Sequence, residues 1–113
     1  ILQSTICATK PGGGIISILL DEKYSEGVRI PFLGYDALTS LSAAQLALKY
    51  DLPMIPAYGI RTEDGNAFNV DFEAPIPHTD SITMTHAFND SLSARIMVDP
   101  EQWYWMLRRW DAV

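Results

Sequence analysis

The stretch "PGGGIISILLD" (11–21) decides how the first part of the chain folds. Its apolar run, "IISILL" (15–20), lies between glycines and an aspartate, which predicts an interior strand that is apolar on both faces. Pro11 cannot continue a helix and the glycines after it adopt left-handed turns readily, so we expect residues 1–10 to form the end of a helix. Asp21 then stands at the carboxyl end of the predicted strand.

The next part of the chain alternates irregular and helical patterns. Residues 22–38 have a turn-rich composition, and within them "VRIPF" (28–32) predicts a short extended segment at a sheet edge or in a loop, because it contains a proline. Thr39 or Ser40 can cap a helix that runs to about Tyr50. Three apolar residues are predicted to share one face of this helix: Leu41, Ala44 and Leu48.

The second half predicts a strand, a hairpin and a long helix. "PMIPAYGI" (53–60) is an apolar strand, and the helix before it favours a parallel pairing with the first strand. The turn "EDGN" (63–66) leads into "AFNVDFEA" (67–74), a half-exposed antiparallel strand. On that strand, one face carries Phe68, Val70 and Phe72. A helix from about Asp80 to Val98 follows, with an apolar stripe of Phe88, Leu92 and Ile96.

The predicted class is α/β, close to α+β, with helices packed on a mixed sheet in one domain spanning residues 1–113.

The closing segment "DPEQWYWMLRRWD" (99–111) predicts a last helix, with Asp99 as N-cap, Pro100 at the first helical position and Gln102 at the third. One interpretation docks its apolar face in the core and stacks Trp105 on Arg109. The other interpretation makes the tryptophans and arginines a surface for anionic head groups at a membrane. The apolar face would consist of Trp103, Met106, Leu107 and Trp110.

The composition limits the classes of function that remain. The chain has 113 residues, of which 48% are hydrophobic and 19% are charged, as in a globular domain. Its net charge of −6 argues against nucleic acid as a partner. No apolar run is long enough to span a membrane, Cys7 has no second cysteine to pair with, and no cluster of residues with metal-ligand spacing predicts a metal. Because the chain begins with Ile1 rather than Met, we expect it to be a piece of a longer protein.

Four stretches together resemble the lipid A biosynthesis acyltransferases, a family of the glycerolipid acyltransferase-like superfamily. They occur in the family's order: "LLDEK" (19–23), "VRIPFLG" (28–34), "MIPAYGIR" (54–61) and "PEQWYWMLRRW" (100–110). The resemblance implies the C-terminal portion of such a fold, and transfer of a fatty acyl chain from acyl carrier protein to a hydroxyl of a lipid A precursor glycolipid. It further implies work at the cytoplasmic face of the bacterial inner membrane, with no cofactor besides the carrier-linked acyl donor.

The family's His-x4-Asp/Glu motif is missing from this sequence. In the family the histidine acts as general base on the acceptor hydroxyl, and the carboxylate supports it. Here the fifth residue after His78 is Thr83, and the fifth after His86 is Ser91. His86 and Asp90 are predicted to form a solvated i,i+4 pair. We therefore assign no catalytic residue within the chain, expect the motif upstream, and expect the isolated chain to be inactive.

Five residues in the matching stretches are candidates for substrate binding. Asp21 would shape the acceptor pocket at the strand end, or would only cap a turn. The arginines would contact acceptor phosphates or carboxylates, or would form ordinary ion pairs; they are Arg29, Arg61, Arg108 and Arg109. Of the adjacent Arg108 and Arg109, we expect one to be structural and the other to face lipid.

The predicted partners are acyl carrier protein, the glycolipid acceptor and a membrane surface. We also expect the isolated chain to self-associate, because part of a domain leaves a strand edge and apolar faces uncovered. Two alternatives remain open. One is a non-catalytic lipid-binding or interaction module, and the other is a superfamily relative that acts on a different glycolipid.

Overall fold

The computed structural model describes residues 3–10, 14–103, 105, 109 and 110 of the chain. The described residues form two small antiparallel sheets and two α-helices, which confirms the α+β character of the predicted class. The elements are, in order, β1 (Gln3–Lys10), β2 (Gly14–Leu19), β3 (Val28–Phe32), β4 (Tyr35–Thr39), α1 (Ser42–Tyr50), β5 (Ile55–Arg61), β6 (Phe68–Phe72), α2 (Ser81–Val98) and a 3₁₀ turn (Pro100–Gln102).

The main sheet has four strands in the order β2-β1-β5-β6, and all of its described pairs are antiparallel. The helix expected over residues 1–10 is therefore wrong, since most of that segment is β1. The predicted parallel pair is also wrong: β2 and β5 run in the same direction, but β1 lies between them. As an edge strand, β2 leaves Ile15 and Leu19 exposed, which contradicts the interior position predicted for it.

A second sheet consists of the β3–β4 hairpin, whose register pairs Arg29 with Leu38. The extended "VRIPF" segment is confirmed, but residues 35–38, expected to be irregular, belong to β4. The chain reverses at Leu33 and Gly34, which both have positive φ. Gly34 adopts this conformation without steric cost, and the turn places β3 and β4 side by side.

The first helix, α1, ends at Tyr50 as predicted, but its N-cap residue is Leu41, so the predicted cap at Thr39 or Ser40 is wrong. The Ser40 hydroxyl accepts from the Ser42 N–H at 3.2 Å one residue before the N-cap. Thr39 does not cap it, because that side chain is buried in β4. The predicted apolar face is wrong at Leu48, which is exposed. The buried residues of this helix are Ala43, Ala44 and Ala47. Small side chains here allow α1 to approach α2, with which it is in contact.

The second helix, α2, forms the centre of the core. The Asp80 carboxylate caps it by accepting from the Thr83 N–H at 2.8 Å, and the predicted stripe of Phe88, Leu92 and Ile96 is completely buried. The ring of Phe88 stacks on Tyr58 of β5, with 6.3 Å between centroids. The helix therefore covers one face of the main sheet.

The β5–β6 hairpin is confirmed, but its apolar face is not covered. Phe68, Val70 and Phe72 share one face as predicted, and each is more than half exposed. The opposite face carries Asp71, which is paired in register with the buried Tyr58 and so points to the side of α2. The apolar residues of β6 thus lie on the sheet face directed away from α2.

The closing segment begins as predicted, with Asp99 at the N-cap position and Pro100 at the first helical position, but it does not continue as the predicted helix. A 3₁₀ turn covers Pro100–Gln102, and Trp103 is already extended, with φ −83° and ψ 137°. The core position predicted for Trp103 is confirmed, because this side chain is only 3% exposed. The predicted stacking of Trp105 on Arg109 is wrong, since Arg109 lies over the ring of Phe32 at 5.2 Å. Met106 and Leu107, which were predicted to belong to the apolar face of this helix, lie outside the described residues.

A membrane-spanning helix is not found in the described part of the chain.

Candidate functional site

A buried polar cluster surrounds the end of β4. Arg109 is 1% exposed, and its guanidinium donates from Nη1 to the Leu38 carbonyl and from Nη2 to the Thr39 hydroxyl, both at 2.8 Å. The indole of Trp110 donates from Nε1 to the Phe32 carbonyl at 3.2 Å and stacks on the Phe32 ring. Arg109 and Trp110 are thereby fixed against the β3–β4 hairpin.

The helix α2 contributes Asn89 to the same cluster. The Thr39 hydroxyl donates to the Ala37 carbonyl at 3.0 Å and accepts from both Arg109 and the Asn89 side-chain amide, the latter at 3.3 Å. Two buried atoms, Asn89 Oδ1 and Arg109 Nε, have no hydrogen-bond partner within the described part of the chain. Unpaired buried polar atoms are costly, so this cluster is not explained by stability alone.

Asp21 lies next to this cluster at the carboxyl end of β2, where it is 8% exposed. Burial lowers the pKa of Arg109, and the negative charge of Asp21 opposes that shift. An arginine remains charged in proteins even with a lowered pKa, so a buried cation and a nearly buried carboxylate lie close together here. Such a carboxylate can accept a hydrogen bond from a hydroxyl or an amine of a ligand.

The remaining predicted site residues lie elsewhere. Arg29 is opposite Leu38 in register, but it is exposed on the face of the hairpin directed away from Arg109. Arg61 ends β5, at the same end of the sheet as Asp21, and its guanidinium lies over the Phe68 ring at 5.4 Å. Arg108 lies outside the described residues. The structure therefore brings Asp21 and Arg109 together, while Arg29 and Arg61 stay apart from them.

An open cleft with a volume of about 840 Å³ adjoins Arg61. Gln102 forms one wall, since its side chain accepts from the Arg61 N–H at 2.7 Å and donates to the Arg61 carbonyl at 3.2 Å. Three carboxylates and one arginine line the cleft, which disfavours a phosphate ligand there. The lining residues are Ile60, Arg61, Thr62, Glu63, Gly65, Asn69, Asp99, Glu101 and Gln102.

A second polar network, which the sequence analysis missed, ties β6 to α2. Arg95 donates from Nε to Glu73 and from Nη1 to Asp71, both at 2.9 Å, and its guanidinium lies over the Tyr58 ring at 4.8 Å. Ser91 contacts both the Tyr58 hydroxyl and the Glu73 carboxylate. Burial raises the pKa of Tyr58 to about 12. The signal in the sequence was a pair of acidic residues two positions apart, Asp71 within β6 and Glu73 just after it.

The two histidines form no catalytic pair with the family's spacing. His86 and Asp90 lie 3.6 Å apart with exposed side chains, which confirms the predicted solvated pair. His78 contacts the Leu52 carbonyl from Nε2 at 2.7 Å. Among the residues that the structure describes, no group of three or more histidine, cysteine, aspartate or glutamate side chains is arranged to hold a metal ion.

Comparison with known proteins identifies the family. The family model described as bacterial lipid A biosynthesis acyltransferase matches residues 2–112. Searches among curated proteins and among solved structures found no match. The family match includes all four of the stretches that resemble these enzymes and both residues of the Asp21–Arg109 cluster. The chain belongs to the bacterial lipid A biosynthesis acyltransferase family.

Proposed function

We propose that this chain forms part of an acyltransferase that transfers a fatty acyl chain from acyl carrier protein to a hydroxyl of a lipid A precursor glycolipid. The family match over residues 2–112 carries the proposal. It is supported by the position of Asp21 at the carboxyl end of β2, beside a buried arginine. In this reaction the acceptor oxygen bonds to the thioester carbonyl carbon, the carbon–sulfur bond breaks, and the hydroxyl proton passes by way of a base to the leaving thiol.

The base must come from outside the residues of this chain. The sequence holds no His-x4-Asp/Glu motif. The His86–Asp90 pair is solvated, and its spacing along the chain is one residue shorter than the motif requires. The chain would contribute the acceptor side of the site instead. It would present Asp21 at the sheet end, and it would be inactive when isolated from a segment that carries the motif. The carrier-linked acyl donor is a substrate, and no further cofactor is proposed.

The glycolipid would approach the end of the sheet where β2 and β5 finish. Asp21 leaves β2 at this end, and Arg61 ends β5. A glucosamine-based acceptor offers hydroxyls and amides for the carboxylate. Arg29 and Arg61 remain proposed contacts for acceptor phosphates, although the three carboxylates that share the cleft with Arg61 disfavour a phosphate there. Acyl carrier protein would deliver the acyl chain to the same end.

A membrane surface at the cytoplasmic face of the bacterial inner membrane is the proposed location of the whole enzyme. Exposed apolar side chains near the end of α2 support contact with lipid. Trp105 is 53% exposed and its indole donates from Nε1 to the Pro100 carbonyl at 2.7 Å, and Met97 and Val98 are exposed as well. An aromatic ring with a polar tip suits the interface between head groups and acyl chains.

A second candidate function is a non-catalytic lipid-binding or interaction module. The observation that favours it is the open face of the main sheet. Five large apolar side chains point away from α2 and are more than half exposed: Ile15, Leu19, Phe68, Val70 and Phe72. Apolar surface of this extent marks interaction sites or drives association. The same face supports the proposal that the isolated chain self-associates.

Acyl transfer distinguishes the two candidates. The protein isolated from its source would be incubated with acyl carrier protein charged with a fatty acid and with a lipid A precursor in detergent micelles. The enzyme proposal expects the glycolipid to gain the mass of one acyl chain, whereas the 113-residue chain alone gives no product. If the source protein binds the glycolipid and never acylates it, the module is the correct function.

A further inference from the structure

Two separate parts of the chain donate to one carbonyl group of β4. The Leu38 oxygen accepts from Arg109 Nη1 at 2.8 Å and from the Tyr24 N–H at 3.2 Å. Tyr24 belongs to the loop of residues 21–27, which begins with Asp21 and joins β2 to β3. A carbonyl oxygen has two lone pairs, and here one serves the loop and the other serves the arginine. Arg109 and the Asp21 loop are therefore held by the same atom.

The other end of this loop lies directly against the next residue of β4. A Cβ added to Gly27 would stand 2.4 Å from the Thr39 carbonyl oxygen, a distance that real Cβ atoms do not adopt. The Gly27 N–H donates back to the Tyr24 carbonyl at 2.9 Å, which closes the loop. Leu38 and Thr39 thus fix the loop at two points, and both of these residues accept hydrogen bonds from Arg109.

Arg109 itself is inaccessible to a ligand. Its side chain is 1% exposed, two of its nitrogens are bonded within the fold, and its guanidinium lies over Phe32. Asp21 is the more accessible of the two residues, and it lies close enough for its charge to act on Arg109. An arginine in this position can fix the shape of a site, but it cannot reach a phosphate in solvent.

We propose that Arg109 is a positioning residue of the glycolipid site, which orders the loop of residues 21–27 through Leu38 and Thr39 and so places Asp21, without touching the glycolipid. This inference rests on the proposed function. It also gives Arg109 a structural role in place of the direct substrate contact for which its sequence position made it a candidate. A lysine should not replace it, because its single nitrogen lacks the rigid planar fork whose two nitrogens reach Leu38 and Thr39 separately.

Hydrogen exchange tests the positioning step without any ligand. We expect Arg109→Lys to speed exchange of the Tyr24 amide about tenfold or more. The Leu38 carbonyl, which accepts from this amide, would lose the guanidinium that holds it in place. The Leu52 amide, which donates to the Ala47 carbonyl at the end of α1, serves as internal reference. Arg95→Lys is the matched control, since it alters another arginine in a polar network and should leave the Tyr24 amide unchanged. Equal exchange of Tyr24 in wild type and Arg109→Lys overturns the proposal.

Glycolipid binding tests the functional step. Binding of a lipid A precursor in detergent micelles would be measured for wild type, Asp21→Asn, Arg109→Lys and the double variant. We expect each single variant to bind about tenfold more weakly, and the double variant to lose no more than Asp21→Asn alone. Losses that multiply mean that Arg109 contacts the glycolipid independently, which contradicts the proposal.

Gly27→Ala provides a second route to the same loop if Arg109→Lys fails to fold. It should weaken glycolipid binding and speed Tyr24 exchange although the Arg109 side chain itself is unchanged, because a Cβ at position 27 forces the loop and β4 apart. If the folded Gly27→Ala variant binds as wild type does, the loop does not matter and the inference is wrong. If wild type does not bind the glycolipid, the proposed function fails, and Tyr24 exchange still decides whether Arg109 orders the loop.

Discussion

The guanidinium of Arg109 donates to the Thr39 hydroxyl at 2.8 Å across 70 positions of the chain. This contact joins the end of the polypeptide to the strand that closes the smaller sheet. Because Asn89 of α2 donates to the same hydroxyl, three elements meet at one buried oxygen. The arrangement explains why arginine and tryptophan residues are concentrated at the end of an acidic chain: the described ones are largely part of the core.

Trp103 should be essential for stability. Its ring is buried against Phe32, with 5.7 Å between centroids, and replacement by alanine leaves a large cavity. We expect Trp103→Ala to lower the free energy of unfolding by about 3–5 kcal/mol in urea titrations. Trp105→Ala, at an exposed position, is the control and should cost less than about 1 kcal/mol. An unchanged melting temperature for Trp103→Ala would show that this tryptophan does not anchor the closing segment.

Gly27 should tolerate no side chain. Alanine at this position would bring its Cβ against the Thr39 backbone, so the loop or β4 must move. We expect Gly27→Ala to lower the free energy of unfolding by about 1–3 kcal/mol, the range for overpacked sites. Gly59→Ala is the matched control, because a Cβ on Gly59 meets nothing within 4 Å. Equal stability of the two variants would contradict the close approach of the loop to β4.

Stability should fall in alkaline solution because of Tyr58. The pKa of this phenol is raised by burial from 10.0 to about 12 in the folded protein. As the pH rises, the unfolded chain therefore loses the Tyr58 proton before the folded protein does. The stabilisation that the protonated phenol gives to the folded state is complete below pH 10 and is lost as the pH rises towards 12. The loss amounts to roughly 2–3 kcal/mol. Urea titrations between pH 9 and 12 should show this decline in wild type and a smaller one in Tyr58→Phe. Parallel curves would mean that Tyr58 is not the titrating group.

How far the sequence predicts this fold depends on the strength of the local signal. The stripe of Phe88, Leu92 and Ile96 has a clear helical period, and the Asp-Gly turn at 64–65 marks its hairpin, so both α2 and the β5–β6 pair were predicted correctly. β1 was missed because "QSTICATK" (3–10) lacks a clear apolar alternation, although its β-branched residues favour a strand. That single omission also produced the wrong parallel pairing, since β1 separates β2 from β5.

The site was predictable in its residues but not in their roles. Asp21 and Arg109 both lie in stretches that resemble the family, but nothing local shows that Arg109 bonds to Leu38 and Thr39 of β4, about 70 positions away. Thr39 was interpreted as a helix cap because a threonine before a helical pattern usually has that role. Its alternation with Ala37 on the inner face of β4 was the signal for burial. Long-range contacts of this kind depend on the tertiary fold.

The open sheet face should drive self-association of the isolated chain. Val70 lies on this face next to Phe68 and Phe72 and is 59% exposed. We expect light scattering to show concentration-dependent association of wild type, because the apolar face is removed from water, and a shift towards monomer for Val70→Glu. Met97→Glu changes an apolar residue at the end of α2 that is even more exposed, at 70%, and it should associate as wild type does. A monodisperse wild-type monomer would contradict the prediction.

The rate of acyl transfer by the Asp21→Asn variant of the source protein decides whether Asp21 belongs to a glycolipid site. Asp90→Asn is the matched control, because Asp90 is exposed in the solvated pair with His86. Both variants would be assayed with a carrier-linked acyl donor and a lipid A precursor, and their folding would be verified by melting temperature. We expect a large loss of transfer for Asp21→Asn and a normal rate for Asp90→Asn. Equal rates for the two folded variants would contradict a glycolipid site at Asp21.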